Sequence, residues 1–192
     1  MSAHSTAVVK AFYDVCNRAY GDWRIHRILF DDNPRKKELE RSEARHALIH
    51  FSILSQESFL LQIAKLHDPV IIQGHVTLGI EYIVRYGGWD EKTKTKLQAL
   101  QLQLNELDKK ARPARNKILS HNDLESILNG GIVGNFPDGM DDKYFKTLQE
   151  FVDIICINVI GKALPFSVEA RITKGFLWFF REEACEGQPI HL

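Results

Sequence analysis

Apolar residues recur along most of this chain every three or four positions, which is the period of a helix with one covered face. Strict alternation bounded by turn dipeptides, the mark of a sheet, is missing. The pattern predicts a first helix over Thr6 to Tyr20, with Val9, Phe12, Tyr13 and Cys16 on one face. A second, long helix is expected from Pro34, a residue suited to a first helical turn, through Leu48, Phe51, Ile53, Leu60 and Ile63 to a stop before Pro69. Its polar half, Arg35 to Arg45, should face solvent or a partner, and its apolar half a core. A short helix follows from Val76 to Tyr86, closed by Gly87 and Gly88.

The segment Asp90 to His121 carries the strongest pattern. Asp90 can cap it, and Leu97, Leu100, Leu104, Leu107, Ala111, Ala114 and Ile118 alternate by three and four. That is the seam of a helix packed lengthwise on another, and three further residues along it stands His121. Asp108, Lys110, Arg115 and Lys117 flank the seam. Pro113 falls on the outward side and should bend the helix. After a Gly- and Pro-rich connection, Asp141 or Asp142 should cap a helix through Phe145, Leu148, Val152, Ile155 and Val159. A last helix, Ser167 to Ala184, carries Phe176-Leu177-Trp178-Phe179-Phe180, enough apolar side chains to need cover on two faces. The expected architecture is all-α: one antiparallel bundle over residues 1–192 with two long members and an aromatic C-terminal helix.

Composition narrows the function classes. The chain has 192 residues, with Lys plus Arg and Asp plus Glu at 25 each. Zero net charge argues against a protein that coats nucleic acid along its whole surface, so any such contact must be a local patch. No apolar run approaches the roughly 20 residues that cross a bilayer, and residues 1–6 show no secretory pattern. Cys16, Cys156 and Cys185 are distant from one another and form no Cys-x-x-Cys pair, which suits reduced thiols in a cytoplasmic protein. No membrane contact is expected.

Against that neutral background, residues 109–117 (Lys-Lys-Ala-Arg-Pro-Ala-Arg-Asn-Lys) form the steepest positive field. Lys109, Lys110, Arg112 and Lys117 could attract a phosphate backbone. Immediately beyond comes His121, so Arg115, Asn116 and His121 bring a guanidinium, an amide and an imidazole within two helical turns. At ~100° and ~1.5 Å per residue, Arg115 and His121 are separated by roughly 120° around the axis and ~9 Å along it. A long Arg side chain can reach the same groove, and Lys117 lies one turn before His121. Such a set suits RNA cleavage without metal or other cofactor. The imidazole takes the proton of a ribose 2′-hydroxyl or returns one to the leaving 5′-oxygen. The guanidinium binds the phosphate and stabilises its added charge. The alternative is structural: His121 ends the helix, and Arg115 pairs with Asp108 or Asp123.

Arg115-Asn116-Lys117, then His121 and Asp123, at the end of a long helix in an all-helical chain, resembles the HEPN superfamily (higher eukaryotes and prokaryotes nucleotide-binding). More narrowly, it is similar to the abortive-infection AbiU-type branch, as is the close of the second helix, Lys65-Leu66-His67-Asp68-Pro69. The resemblance implies a homodimer in which two copies of the motif share a cleft. It also implies a metal-independent endoribonuclease, often a phage-defence or toxin–antitoxin toxin with a neutralising antitoxin partner. Arg115 and His121 would then be catalytic and Asn116 supporting. Some members of the superfamily are silent RNA-binding or scaffold modules.

A separate pattern, Glu43-x-x-His46 with His50 one turn on, is half of a di-iron motif and raises a metal-binding bundle as a third reading. No second copy is found, and two histidines resting at a polar-to-apolar transition are the simpler explanation. His4, His26, His67, His75 and His191 read as surface or turn residues. Gly130-Gly131-Ile132-Val133-Gly134 follows a helix rather than a strand and reads as a connection, not a phosphate cradle.

Overall fold

The computed structural model describes residues 5–119 and 139–168, with backbone alone for 111–119. Among the described residues there are six α-helices and one two-stranded hairpin, so the protein is an all-α bundle.

Helix α1 spans Thr6–His26. Ser5 caps it, its Oγ accepting from Val8 N–H at 3.2 Å. The helix passes the expected end at Tyr20 and takes Gly21 in its stride. Its buried stripe, Val9, Phe12, Cys16, Ala19, Trp23 and His26, keeps the three–four rhythm beyond the glycine. Burial of Trp23 outweighs the ~1 kcal/mol that glycine costs inside a helix. One π-helical turn, Arg27–Asp31, extends it.

The long second helix expected from Pro34 is in fact two. Helix α2 is only Lys36–Leu39, and α3 runs Arg45–Leu66. Between them the Ser42 hydroxyl donates to the Leu39 carbonyl at 2.8 Å, an alternative to continuing the ladder. Residues 36–44 bury no side chain, so nothing holds a marginal helix together there.

A second departure follows α3. Strands β1 (Ile71–Ile72) and β2 (His75–Val76) pair antiparallel, with Ile71 opposite Val76 and Ile72 opposite His75. Gln73 and Gly74, at φ 49° and 83°, make the tight turn between them. Two positive φ values in a two-residue loop are the type I′ geometry that fits twisted strands. Helix α4 therefore begins at Ile80, not Val76, and ends at Tyr86 as expected. Gly87 is required by contact. A Cβ there would stand 2.0 Å from the Trp89 indole nitrogen, which donates to the Ile83 carbonyl at 2.9 Å.

Helix α5 is Glu91–Leu119 and α6 is Met140–Ile160. Asp90 caps α5 as expected, accepting from the Thr93 N–H at 3.0 Å and the Thr93 hydroxyl at 2.7 Å. The expected cap of α6 is corrected. Gly139 in the left-handed region takes that position, and Asp141 and Asp142 lie in the first turn. Their carboxylates serve tertiary contacts: Asp141 accepts from Trp23 Nε1 at 2.8 Å, and Asp142 from Arg27 at 2.8 Å.

Helices α1, α3, α5 and α6 enclose the core, α1 and α5 each packing on both α3 and α6. Trp23 stacks on Phe145 near the start of α6 and Phe12 meets Phe151 further along, so α1 and α6 are antiparallel. The expected seam residues Leu97, Leu100, Leu104 and Leu107 are all buried, as are Phe145, Leu148, Val152 and Ile155. Residues 163–168 are not helical, so the helix expected from Ser167 does not start there. Instead this segment crosses α1 and α6. Tyr13 donates to the Pro165 carbonyl at 3.0 Å, and Ser167 N–H to Asn17 at 2.8 Å. The Phe176–Phe180 run lies outside the described residues.

Candidate nucleic-acid interface

On α5, Leu104, Leu107 and Asp108 are buried, and Lys109 and Lys110 directly after them are exposed. Lys109 pairs with Glu106 at 2.7 Å, and that contact holds the Glu106 carboxyl below the usual carboxylate range. Lys110 is exposed. The backbone of Arg112, Arg115, Asn116 and Lys117 is helical through Pro113 to Leu119. A proline interrupts the hydrogen-bond ladder there without ending the helix. The side chains of these four, and all of His121 and Asp123, lie outside the described residues.

Just before the basic turns the structure shows a polar cluster that the sequence pattern did not reveal. His67, in the turn that ends α3, places Nδ1 3.0 Å from Asn105 Oδ1 on α5 and Nε2 2.9 Å from the Tyr144 hydroxyl on α6. An amide oxygen only accepts, so Nδ1 carries a proton and a neutral ring takes the tyrosine's hydrogen bond at Nε2. Tyr144 is fully buried, and burial, then the neighbouring Cys16 and Asp108, push its pKa well up. Asp108, expected at the edge of the seam, is only 1% exposed. It sits one turn after Asn105 and two turns before Arg115, so these positions share one side of α5. The motif helix is thus joined to α3 and α6 by side-chain hydrogen bonds as well as by leucines. His67 reads as a turn residue in sequence, and its position is indeed a turn. Only the three-dimensional fold supplies its partners.

His26 also departs from the surface expectation. It is 6% exposed between Phe30 and Phe59, and its Nδ1 has no hydrogen-bond partner among the described residues. His75 is exposed on β2, in agreement with expectation. Glu43, His46 and His50 are exposed, and Glu43 stands in the turn ahead of α3, not on its helix. Among the described residues no group of three or more His, Cys, Asp or Glu is placed to hold a metal ion. Cys16 and Cys156 are buried free thiols. Burial pushes the first well up and the second to about 11, so neither is an activated nucleophile.

A family model for AbiU2, a HEPN domain, matches residues 5–168. The chain belongs to the AbiU2 family. The match covers every described helix and the whole of the Arg115-to-His121 motif. AbiU2 membership makes this a HEPN-type protein of the abortive-infection class. No curated protein and no solved structure matches it.

Proposed function

We propose that this AbiU2 protein is a metal-independent endoribonuclease, a cytoplasmic toxin of phage defence or of a toxin–antitoxin pair. One observation carries the reading. In a chain of zero net charge and HEPN membership, Arg115, Asn116 and His121 stand at the superfamily's spacing, at the end of and just beyond the most basic stretch of the sequence.

In this reading the 2′-hydroxyl of the substrate RNA attacks the adjacent phosphorus and the bond to the 5′-oxygen breaks. The products are a 2′,3′-cyclic phosphate and a 5′-hydroxyl. His121 moves the proton, either from the attacking hydroxyl or to the leaving oxygen. Arg115 neutralises the charge that builds on the phosphoryl oxygens, and Asn116 orients the phosphate or the ring. Lys109, Lys110, Arg112 and Lys117 raise the local concentration of RNA. The protein acts as a homodimer, so that two copies of the motif serve one cleft, and an antitoxin protein is a further expected partner.

The purified chain, mixed with RNA in excess EDTA, should cut it and leave cyclic-phosphate ends. His121→Ala and Arg115→Ala should each slow cleavage by about 100-fold or more, the range of a lost acid–base or charge-stabilising group. Cleavage that needs added metal, or that persists in both variants, would remove the mechanism. Salt-sensitive binding without cleavage, indifferent to His121→Ala, would make the protein a silent RNA-binding module.

A further inference from the structure

The π-helical turn Arg27–Asp31, helix α2 and the first half of α3 do not close on one another. They leave a cavity of about 140 Å³, which the proposed cleavage does not use. Its apolar lining is Leu29, Phe30, Leu39, Leu48 and Ile49. A cavity of ~150 Å³ lined by Leu, Ile and Phe is large enough to hold a six-carbon ring. The body of a fitting occupant is therefore apolar and small.

Four exposed charged residues line the same cavity: Asp31, Lys36, Glu40 and Arg45. Two are acids and two are bases, yet they do not neutralise one another. Among the described residues Lys36, Glu40 and Arg45 make no ion pair, and Asp31 only approaches His26 at 3.7 Å. Lys36 and Glu40 stand four residues apart, a spacing at which opposite charges on a helix can meet. Open charges of both signs beside an apolar floor suit a small molecule that carries both signs next to an apolar group. The floor also explains what an occupant would do. Residues 36–44 bury no side chain, and Leu39, the single apolar residue of α2, lines this cavity. An apolar group seated there would give α2 the contact that the described residues do not supply.

We propose that this cavity binds a free α-amino acid with a branched or aromatic side chain. The side chain would rest on the five apolar residues. The carboxylate would meet Lys36 and Arg45, and the ammonium Asp31 and Glu40. This is independent of the nuclease reading and of the dimer. The rival occupant is a lipid chain. Among the described residues α3 is the one helix long and apolar enough to span a membrane, by length and composition alone. The expectation that no segment reaches that length missed it because His, Ser and Gln interrupt the apolar residues along the helix. A lipid chain would use the floor and leave Asp31 and Glu40 unused.

Titration calorimetry of the full-length chain with L-leucine or L-phenylalanine should show one site with a Kd of about 1 mM or tighter. Glycine lacks the side chain of leucine, 4-methylpentanoate the ammonium and 3-methylbutylamine the carboxylate. Each should bind at least roughly tenfold more weakly. Ile49→Trp, at an exposed position, should fill the cavity and abolish binding. Arg45→Gln and Glu40→Gln should each weaken it about tenfold with unchanged circular dichroism. Phe30, Asp31 and Lys36 are also neighbours of the buried His26 ring. Bound leucine should therefore move the His26 ring signals in NMR and slow hydrogen exchange over residues 36–45. No binding of either amino acid, glycine binding as well as leucine, or affinity untouched by both glutamine variants would each overturn the proposal. So would 4-methylpentanoate binding as well as leucine, and that result would give the cavity to the lipid.

Discussion

The two long helices use their apolar residues in opposite ways. In α5 those of described burial fall mostly on one narrow, covered seam, Leu97, Leu100, Leu104 and Leu107, and the other sides are polar apart from the exposed Leu102. In α3 they surround the helix, and only the last two turns are covered from more than one direction. The difference teaches that apolar content and burial are separate quantities. A seam of the α5 kind states what it packs on. A helix apolar all round states only that something must cover it, and among the described residues Phe51, Leu54 and Leu61 stay exposed.

Large-to-small changes should divide the two helices most sharply. Leu104→Ala in α5 removes a fully buried side chain from the centre of the seam and should cost about 2–5 kcal/mol by urea unfolding. The matched change Leu54→Ala in α3 should shift the unfolding of a monomeric variant by no more than about 0.5 kcal/mol. Equal losses at the two sites would mean that the outer face of α3 is packed within the monomer, and the contrast would collapse.

A smaller effect is expected where the two helices are tied together. Tyr144→Phe keeps the ring in the core and deletes the hydroxyl that meets His67 Nε2. Losing that hydrogen bond to a half-buried ring nitrogen should cost about 1 kcal/mol. Because His67 ends α3 and Asn105 belongs to α5, hydrogen exchange should speed up at the end of α3 and around residue 105, more than at the far end of α6. Unchanged exchange at both places would show that the leucine seam alone holds α5 in register.

These contrasts also explain how much was legible in the sequence. The all-helical class, the cap at Asp90, the seam of α5 and the buried face of α6 were readable, because each depends on residues near one another in the chain. The break between α2 and α3 was not, since Pro34 and good helix formers after it favour continuation locally. What decides against it is the absence of any core for residues 36–44 to bury into. The hairpin at Ile71 to Val76 escaped because two residues per strand show no alternation, although Gln73-Gly74 is a plausible turn pair in hindsight. At the candidate site the basic stretch and the Arg115–His121 spacing were visible in one dimension. The His67–Asn105–Tyr144 cluster was not, since its members lie 38 and 77 residues apart along the chain.

The smallest predicted effect is one of pH, at the place where α3 turns from exposed to covered. His26 is packed against Phe59, the first buried residue of α3, and against Phe30. Burial lowers its pKa from the ordinary value near 6.5. Asp31, 3.7 Å away, and Asp141 oppose that shift, and Lys36 adds to it. The folded state therefore binds this proton less readily than the unfolded chain does. The sign follows: stability is full above the unfolded value and is lost as pH falls from about 6.5 through the lower folded value. His26→Phe removes the titrating group and leaves an apolar ring between two others. Its Tm should fall less than that of the wild type between pH 7 and pH 5, and the two curves should converge or cross as acid is added. Parallel curves would show that His26 keeps its charge in the fold, with Asp31 close enough to hold it. The junction of α3 would then be an ion-paired one, and not a further stretch of core.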